Sequence, residues 1–332
     1  MEVSKSIREK GFIDKAIDPT IDIVTAIKQL KEEKNAVIMA HYYQTGDIQD
    51  IADYVGDSLA LARDAAATDA DMILFAGVHF MAETAKILSP QKKVIIPDLN
   101  AGCSLADSCP PDEFKKFVDQ HPDHMVISYV NTTAEIKTMT DICCTSTNAL
   151  HIVNSLPKDQ KIIFAPDRNL GNYIKRMTGR ENMIVWDGAC HVHEEFSLEK
   201  VLELKNDYPK AKVIVHPECQ KPLQLIADHI GSTASLLNYV QKDDSKEYIV
   251  ATESGILHQM KKVKPEKRFM VAPPKDSTCG CSDCNFMKLI TMKKIYNSLL
   301  YEKPELFLSD KVIEKARGSI EKMLDISNQL KL

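Results

Sequence analysis

The sequence contains one pattern three times, and this repetition limits the fold more than any other feature. The segments "HYYQTGDIQDIADYVGDS" at 41–58 and "HPECQKPLQLIADHIGST" at 216–233 share Gln, Ile, Ala, Asp and Gly in register. A weaker copy, "YVNTTAEIKTMTDICCTS", occupies 129–146. Asp53, Asp141 and Asp228 fall at the same place in the three copies. We therefore expect a chain built from three similar units.

The surroundings of each copy repeat as well. An amphipathic helical pattern and a short apolar run precede each copy, and two more apolar runs follow it, such as "MILFAG" and "KVIIPD". Short β-branched runs that alternate with helical patterns indicate parallel sheets covered by helices. We predict an α/β fold in which three pseudo-symmetric αβα units with short parallel sheets surround a central axis. The predicted units are 1–110 with an N-terminal helix, 111–196, and 197–332 with C-terminal helices.

Polar triplets follow the first apolar run of each unit: "HYY", "YVN" and "HPE". Ligand sites in parallel α/β sheets lie beyond the carboxyl ends of the strands, so the corresponding loops of three packed units would form one site. Ser58, Ser146 and Thr233 each precede an apolar helical pattern, and we expect them to be N-caps. The N-terminus of a helix also suits a carboxylate or a phosphate, so the three hydroxyls are candidate substrate ligands.

Cysteines recur after the last predicted strand of each unit. The interval from the start of "HYY" to Cys103 is nearly the same as the interval from the start of "YVN" to Cys190. In the third unit the equivalent position falls within "CGCSDC". Three thiolates from three units match a cubane iron–sulfur cluster, which takes one cysteine per iron and can leave the fourth iron free. The alternative is that Cys103 and Cys190 are buried thiols.

Composition restricts the partners and the location. The net charge is −5 and there is no basic block, which argues against binding to nucleic acid. No apolar run reaches the length of about 18 residues expected of a membrane helix, and the N-terminus has no signal-peptide pattern. Nine cysteines without a secretion signal fit thiols, metal ligands or a nucleophile in a reducing compartment. We expect a cytoplasmic protein without membrane contact.

Ordered landmarks between residues 40 and 288 resemble the quinolinate synthase family, the A proteins of de novo NAD biosynthesis. They are "AHYYQ", "GDSLALAR", "AGCSLADSC", "SYVNTTAEIK", "CTSTNA", "WDGACHVHE", "VHPEC", "GSTASL" and "CSDCNFMK". The resemblance implies three αβα domains around a [4Fe–4S] cluster whose free iron acts as a Lewis acid. It implies that iminoaspartate and dihydroxyacetone phosphate condense to quinolinate with loss of phosphate and two waters. An aspartate oxidase or dehydrogenase would supply the iminoaspartate.

The same resemblance implies the residues of the site. Tyr43, Glu218 and His216 would be catalytic, with Tyr43 and Glu218 as the main proton-transfer groups. The substrate-binding set, including the three hydroxyls at the predicted helix starts, is His41, Ser58, Tyr129, Val130, Asn131, Ser146, His216, Pro217, Glu218 and Thr233. The cluster ligands would be Cys103, Cys190 and Cys284.

The third cluster ligand is the least certain from spacing. The interval from the start of "HPE" to Cys279 is the closest to the intervals in the other two units, whereas the interval to Cys284 is longer. Cys284, however, opens the apolar helical pattern "NFMKLITMKKIYNSLL", and the helix dipole favours a thiolate there. The resemblance also assigns the ligand to the cysteine before the aromatic–Met pair. We therefore predict Cys284, rather than Cys279 or Cys281, and treat a regulatory Cys281–Cys284 disulfide as a hypothesis.

Three other functions are consistent with parts of the pattern. An iron–sulfur sensor or electron carrier would use the cysteines but would need no substrate pocket. A structural zinc protein would use the same cysteines and would be colourless. A metal-dependent hydrolase would use His191 and His193 of "CHVHE" as a ligand pair, with further ligands at later strand ends.

Overall fold

The computed structural model describes residues 2–276 and 282–331. These residues form three parallel four-stranded sheets flanked by helices, and each sheet is built from strands that are consecutive in the chain. The predicted α/β fold with three pseudo-symmetric units is confirmed. Cys279 and Cys281 lie outside the described residues.

The first sheet has the spatial order β2-β1-β3-β4. Its strands are β1 (Ala36–His41), β2 (Tyr54–Gly56), β3 (Met72–Ala76) and β4 (Lys93–Ile95). The helices of this part of the chain are α1 (Glu2–Lys10), α2 (Ile23–Glu33), α3 (Gly46–Ile51), α4 (Ser58–Ala67), α5 (His79–Leu88) and α6 (Ser104–Asp107). The predicted runs "MILFAG" and "KVIIPD" thus contain β3 and β4.

The second sheet repeats this order as β6-β5-β7-β8. Its strands are β5 (Met125–Tyr129), β6 (Ile142–Cys144), β7 (Ile162–Ala165) and β8 (Met183–Val185). The accompanying helices are α7 (Pro111–Asp119), α8 (Ala134–Lys137), α9 (Ala149–Ser155), α10 (Arg168–Thr178) and α11 (His191–Glu194).

The third sheet has the same order again, β10-β9-β11-β12. Its strands are β9 (Lys212–Val215), β10 (His229–Ile230), β11 (Glu247–Ala251) and β12 (Arg268–Val271). The remaining helices are α12 (Leu198–Asp207), α13 (Lys221–Leu225), α14 (Thr233–Lys242), α15 (Ile256–Val263), α16 (Asn285–Lys288), α17 (Met292–Tyr301) and α18 (Asp310–Gln329).

The aspartate shared by the three copies has one structural role in all of them. It stands just before the second strand of its sheet, and its carboxylate accepts a backbone N–H near the start of the first strand at 2.7 to 2.8 Å. The pairs are Asp53 with Ile38, Asp141 with Val126, and Asp228 with Val213. The repeated residue therefore fixes the register of the first two strands in each unit.

The C-terminal helices pack mainly on the first two units. Helix α17 contacts α2 and β3, and α18 contacts α5, α8 and β6. One hydrophobic core accordingly runs through both units and the C-terminal helices, whereas the apolar clusters of the third unit are separate from it. Among the described residues, no helix combines the length and apolarity required to cross a membrane.

Candidate active site

A cavity lined by residues of all three units lies at the carboxyl ends of their sheets. The polar triplets stand at the carboxyl ends of β1, β5 and β9, and each contributes to its wall. The predicted site residues that line the cavity are His41, Tyr43, Ser58, Cys103, Tyr129, Asn131, Ser146, Cys190, His216, Glu218, Thr233 and Cys284. The fold thus gathers residues from all three units around one space.

Two residues of the predicted substrate-binding set, Val130 and Pro217, are buried but are not among the residues that line this cavity. Each is the middle residue of its triplet, and the middle residue of the first triplet, Tyr42, does not line the cavity either. The first and third residues of a triplet therefore face the cavity, and the side chain of the middle residue does not. The substrate-binding roles of Val130 and Pro217 stay predictions.

A side-chain donor on the short helix after each triplet holds the triplet loop in place. The donor stands eight residues after the first residue of its triplet. It donates hydrogen bonds of 2.5 to 2.9 Å to two backbone carbonyls, that of the middle residue of the triplet and that of the residue directly after the triplet. The donors are Gln49 on α3, Lys137 on α8 and Gln224 on α13. We call this arrangement the loop clamp. It uses an ammonium group in the second unit and a primary amide in the other two.

The three predicted ligand cysteines occupy equivalent positions in the structure. Cys103, Cys190 and Cys284 are the N-caps of α6, α11 and α16, and each of these helices has four residues. Burial raises the pKa of Cys103 to about 12 and that of Cys284 to about 11, and it raises the pKa of Cys190 as well. Neighbouring thiols of the trio add to the increases at Cys103 and Cys190. Burial thus disfavours the thiolate form at all three positions, and a bound positively charged metal group would stabilise it.

The carboxylate of Glu218 is the centre of a buried polar group. Tyr129 donates a hydrogen bond to Glu218 Oε1 at 2.6 Å, and His193 Nδ1 lies 3.1 Å from Glu218 Oε2. The rings of His193 and His216 stack with their centroids 4.8 Å apart. Burial alone would raise the pKa of Glu218, but positive charge on the two histidines and the hydrogen bond from Tyr129 lower it. The Tyr129 hydrogen bond stabilises the carboxylate form of Glu218, which can accept a proton.

Tyr43 faces Glu218 from the first unit. Its hydroxyl is 2.9 Å from Thr233 Oγ1 and 2.7 Å from Thr252 Oγ1, and Thr252 in turn bonds His193 Nε2 at 3.0 Å. Burial raises the pKa of Tyr43 well above its ordinary value. The phenol thus keeps its proton at neutral pH and is a donor.

The two triplet histidines are neutral. Burial lowers the pKa of both His41 and His216 to about 3, and each histidine is close enough to a second one to lower it further. His216 Nε2 lies 3.2 Å from Ser146 Oγ. A neutral imidazole can both donate and accept a hydrogen bond, so these residues are suited to orienting a polar substrate.

The expectation that Ser58, Ser146 and Thr233 are N-caps is wrong. The caps of α4 and α14 lie one residue earlier: Asp57 accepts the N–H groups of Leu59 and Ala60, and Ser232 accepts that of Ser235. Ser146 precedes α9, whose N-cap is Asn148. A carboxylate accepts two N–H groups in the first turn more strongly than a hydroxyl does, which moves the start of α4. The three predicted hydroxyls line the cavity instead, beside the caps.

Hydrogen bonds connect the helix starts of the three units. Thr147 lies 2.8 Å from both the Asp57 carboxylate and the Ser232 hydroxyl. One residue from each unit thus takes part. Because the Asp57 carboxylate already occupies first-turn amides of α4, this helix offers less positive charge to a substrate than its position alone indicates.

Asp57 and Glu253 line the cavity although no sequence pattern pointed to them, and the pattern "CHVHE" suggested His193 only as one of a pair of metal ligands. One signal could have identified His193: it stands three residues after Cys190 on α11, so both face the same side. His191 faces elsewhere, with Nδ1 2.7 Å from Ser104 Oγ and its ring against Phe286. The two histidines of "CHVHE" therefore diverge, and they do not form the paired ligands of a metal-dependent hydrolase.

Comparison with known proteins gives one consistent result. The model of the family described as quinolinate synthetase A protein matches residues 25–325. A curated protein of Synechocystis sp. named "Quinolinate synthase" is 58% identical over 306 residues, which cover 92% of this chain and 96% of that protein. Proteins of the same name from Thermosynechococcus vestitus and Synechococcus sp. are 57% and 56% identical over 307 and 310 residues, covering 96% and 97% of those proteins.

Proposed function

This chain belongs to the quinolinate synthase family, enzymes of NAD biosynthesis, and on that premise we propose how its cavity makes quinolinate. The proposed reaction condenses iminoaspartate with dihydroxyacetone phosphate and releases phosphate and two waters. The observation that carries the proposal is the cavity between the three units, which combines an ionised carboxylate, a protonated phenol and three equivalent cysteines. A sensor or an electron carrier would have no use for such a polar cavity.

The three cysteines fit a [4Fe–4S] cluster. They come from equivalent positions, they line one cavity, and burial disfavours their charged form unless a cationic group compensates it. Cys103, Cys190 and Cys284 would hold the cluster, as the resemblance to the family implies. When bound, such a cluster supplies an iron without a protein ligand, which acts as a Lewis acid toward a substrate oxygen.

Glu218 and Tyr43 are the proposed proton-transfer pair. The ionised Glu218 would take a proton from substrate carbon during enolisation, and the Tyr129 hydroxyl would hold its carboxylate in place. Tyr43 would donate a proton to the oxygen that leaves as water. His216 remains neutral and would orient the substrate beside Glu218.

Both substrates are anionic, and the remaining wall of the cavity is suited to hold them. Ser58, Ser146 and Thr233 present hydroxyl donors to a carboxylate or a phosphate. Asn131 Oδ1 is buried and has no hydrogen-bond partner among the described residues, so it can accept an N–H or O–H of the substrate. His41 would complete this set. The proposal includes a cytoplasmic location and supply of iminoaspartate by an aspartate oxidase or dehydrogenase.

Anaerobic purification with counting of iron and sulfide, followed by an assay for quinolinate, tests the proposal. We expect Cys103→Ala, Cys190→Ala and Cys284→Ala to lose both the brown cluster and activity. Cys109→Ala, at a buried cysteine that does not line the cavity, is the matched control and should keep both.

Further variants test the ligand choice and the roles separately. Cys279→Ala and Cys281→Ala should keep the cluster, whereas a colourless Cys281→Ala would overturn the assignment of Cys284. Glu218→Gln should keep the cluster and lose turnover. A wild-type protein that contains the full cluster but forms no quinolinate from the two substrates would refute the proposed function.

A further inference from the structure

A sulfur, a nitrogen and a carboxylate oxygen converge in the wall of the cavity. They belong to Cys190, His193 and Glu218, and all three ligand atoms lie within 4.8 Å of one another. Side chains of His193 and Glu218 are almost fully buried, at 2% and 3% exposure. Two of the residues follow β8 and the third follows β9, so the tertiary fold, rather than one local motif, assembles the group.

The nitrogen of this group faces the carboxylate. His193 Nδ1 is buried and lies 3.1 Å from Glu218 Oε2, and it has no other partner among the described residues. Zinc bonds of about 2.0–2.2 Å to nitrogen and oxygen place two neighbouring ligand atoms roughly 3–3.5 Å apart. The 3.1 Å between His193 Nδ1 and Glu218 Oε2 therefore fits two ligands of one cation. The Cys190 sulfur, which lies within 4.8 Å of both atoms, would move closer to bind the same ion.

Outer contacts hold both ligands in the orientation that a metal site requires. His193 Nε2 bonds Thr252 Oγ1 at 3.0 Å, which turns Nδ1 toward Glu218. Tyr129 bonds Glu218 Oε1 at 2.6 Å and leaves Oε2 facing His193. Metal-binding histidines and carboxylates commonly have such second partners, which fix the ring and the carboxylate.

We propose that the cluster-free chain binds a thiophilic divalent cation of the Zn²⁺ class through Cys190 Sγ, His193 Nδ1 and Glu218 Oε2. One thiolate and one carboxylate balance the double positive charge, and a sulfur–nitrogen donor set selects such a cation over Mg²⁺ or Ca²⁺. Three protein ligands leave a fourth position for water or a carboxylate. Cation binding does not depend on the proposed function. One consequence of cation binding does rest on the proposed function. Cys190 cannot bind the cation and the cluster at once, so Zn²⁺ blocks cluster assembly.

Cobalt(II) is the probe, because it replaces zinc and its spectrum reports its ligands. Titration of the reduced, cluster-free, full-length chain should give a thiolate-to-cobalt charge-transfer band and the visible bands of a four-coordinate ion. Cys190→Ser should abolish the charge-transfer band, and His193→Gln and Glu218→Gln should each weaken binding. Cys103→Ala and Cys284→Ala are the matched controls and should keep the wild-type spectrum. Thr252→Val, which removes the outer contact, should weaken Co²⁺ binding about 10- to 100-fold. Circular dichroism verifies the fold of each variant.

Two results would overturn the inference. One is equal loss of the cobalt band in the Cys103, Cys190 and Cys284 variants, which would indicate a three-thiolate site. The other is the absence of a charge-transfer band in the wild-type chain. Because the cobalt titration uses cluster-free protein, a negative titration would not contradict the proposed synthase activity. Absence of that activity, in turn, would not contradict a positive titration. The claim that Zn²⁺ blocks cluster assembly has its own test. Zinc-loaded protein should take up iron and sulfide only after a chelator removes the zinc, and uptake equal to that of zinc-free protein would refute the claim.

Discussion

Replacement of Lys137 by methionine tests whether the loop clamp controls the active site. The Lys137 side chain is fully buried, and Nζ donates to the carbonyls of Val130 at 2.9 Å and Thr132 at 2.5 Å. These two carbonyls flank Asn131, and the same loop begins with Tyr129. Methionine has a similar length and shape but no donor, so Lys137→Met removes both bonds and leaves the packing nearly unchanged.

The effect on stability should be modest, because two large contributions oppose each other. Two hydrogen bonds from a charged donor contribute about 1.5–3 kcal/mol each. Burial of the ammonium group costs several kcal/mol, and methionine avoids this cost. We expect the free energy of unfolding to fall by roughly 0.5–3 kcal/mol, as for an ordinary buried polar substitution.

The effect on activity should be larger than the effect on stability. Without the clamp the loop can shift, and Tyr129, which bonds Glu218 at 2.6 Å, shifts with it. A displacement of about 1 Å at a catalytic group can cost roughly 100-fold in rate. We therefore expect kcat of Lys137→Met to fall about 100-fold, with cluster content preserved.

Two comparison variants separate the clamp from general effects of a buried lysine. Lys137→Gln restores the donor that the other two units use, and it should recover most of the lost kcat. Lys267→Met removes another buried lysine, whose Nζ donates to Val240 O at 2.7 Å beside the amino end of β12, away from the cavity. It should lower stability and leave kcat unchanged. Activity would be measured as quinolinate formed per cluster. Equal loss of activity in Lys137→Gln and Lys137→Met would refute the clamp, as would wild-type kcat in Lys137→Met.

Three further outcomes follow from single contacts. Ser232→Ala, at the true cap of α14, should lower the free energy of unfolding in urea by about 1 kcal/mol, and an unchanged value would contradict the cap assignment. Thr233→Ala removes the hydroxyl that bonds Tyr43 and should weaken substrate affinity. Asp141→Ala leaves a buried strand N–H without a partner and should cost about 1–3 kcal/mol in the same assay. Two lysine side chains lower the pKa of Glu302 from 4.5 to about 2, so its contribution to stability is present above pH 4.5 and is lost as the pH falls toward 2. Glu302→Gln should therefore reduce the difference in the free energy of unfolding between pH 5 and pH 3, measured by urea unfolding.

The sequence alone was sufficient for features that recur in each unit. The first strands and the last two strands of every sheet were predicted because their apolar runs are bounded by turn residues. Asp141 could be recognised as equivalent to Asp53 and Asp228 even though the rest of its segment has diverged. The reason is physical: an N–H at the start of the first strand needs the same acceptor in every unit.

Features that depend on contacts between units could not be predicted in this way. His193 takes its orientation from Thr252, which belongs to a different strand end far along the chain. The start of α4 moved to Asp57 because a carboxylate competes for the cap, and sequence patterns resolve helix ends poorly. The loop clamp could not be recognised from the sequence because its donor is lysine in the second unit and glutamine in the other two. Both side chains nevertheless place a nitrogen donor on the two equivalent carbonyls.

The equivalent positions of the threefold scaffold carry different groups, which suits the proposed reaction because that reaction has no threefold symmetry. The third residues of the triplets are Tyr43, Asn131 and Glu218, and all three line the cavity. The backbone places them equivalently, yet one is a protonated phenol, one an amide and one an ionised carboxylate. The proposed condensation, which also eliminates water, needs a donor, a neutral ligand and a base at the same substrate. The register aspartates, the three cysteines and the three hydroxyls stay alike in the three units, whereas the third residues of the triplets differ. On this reasoning, a variant in which Tyr43 and Glu218 are exchanged should form no quinolinate in the activity assay.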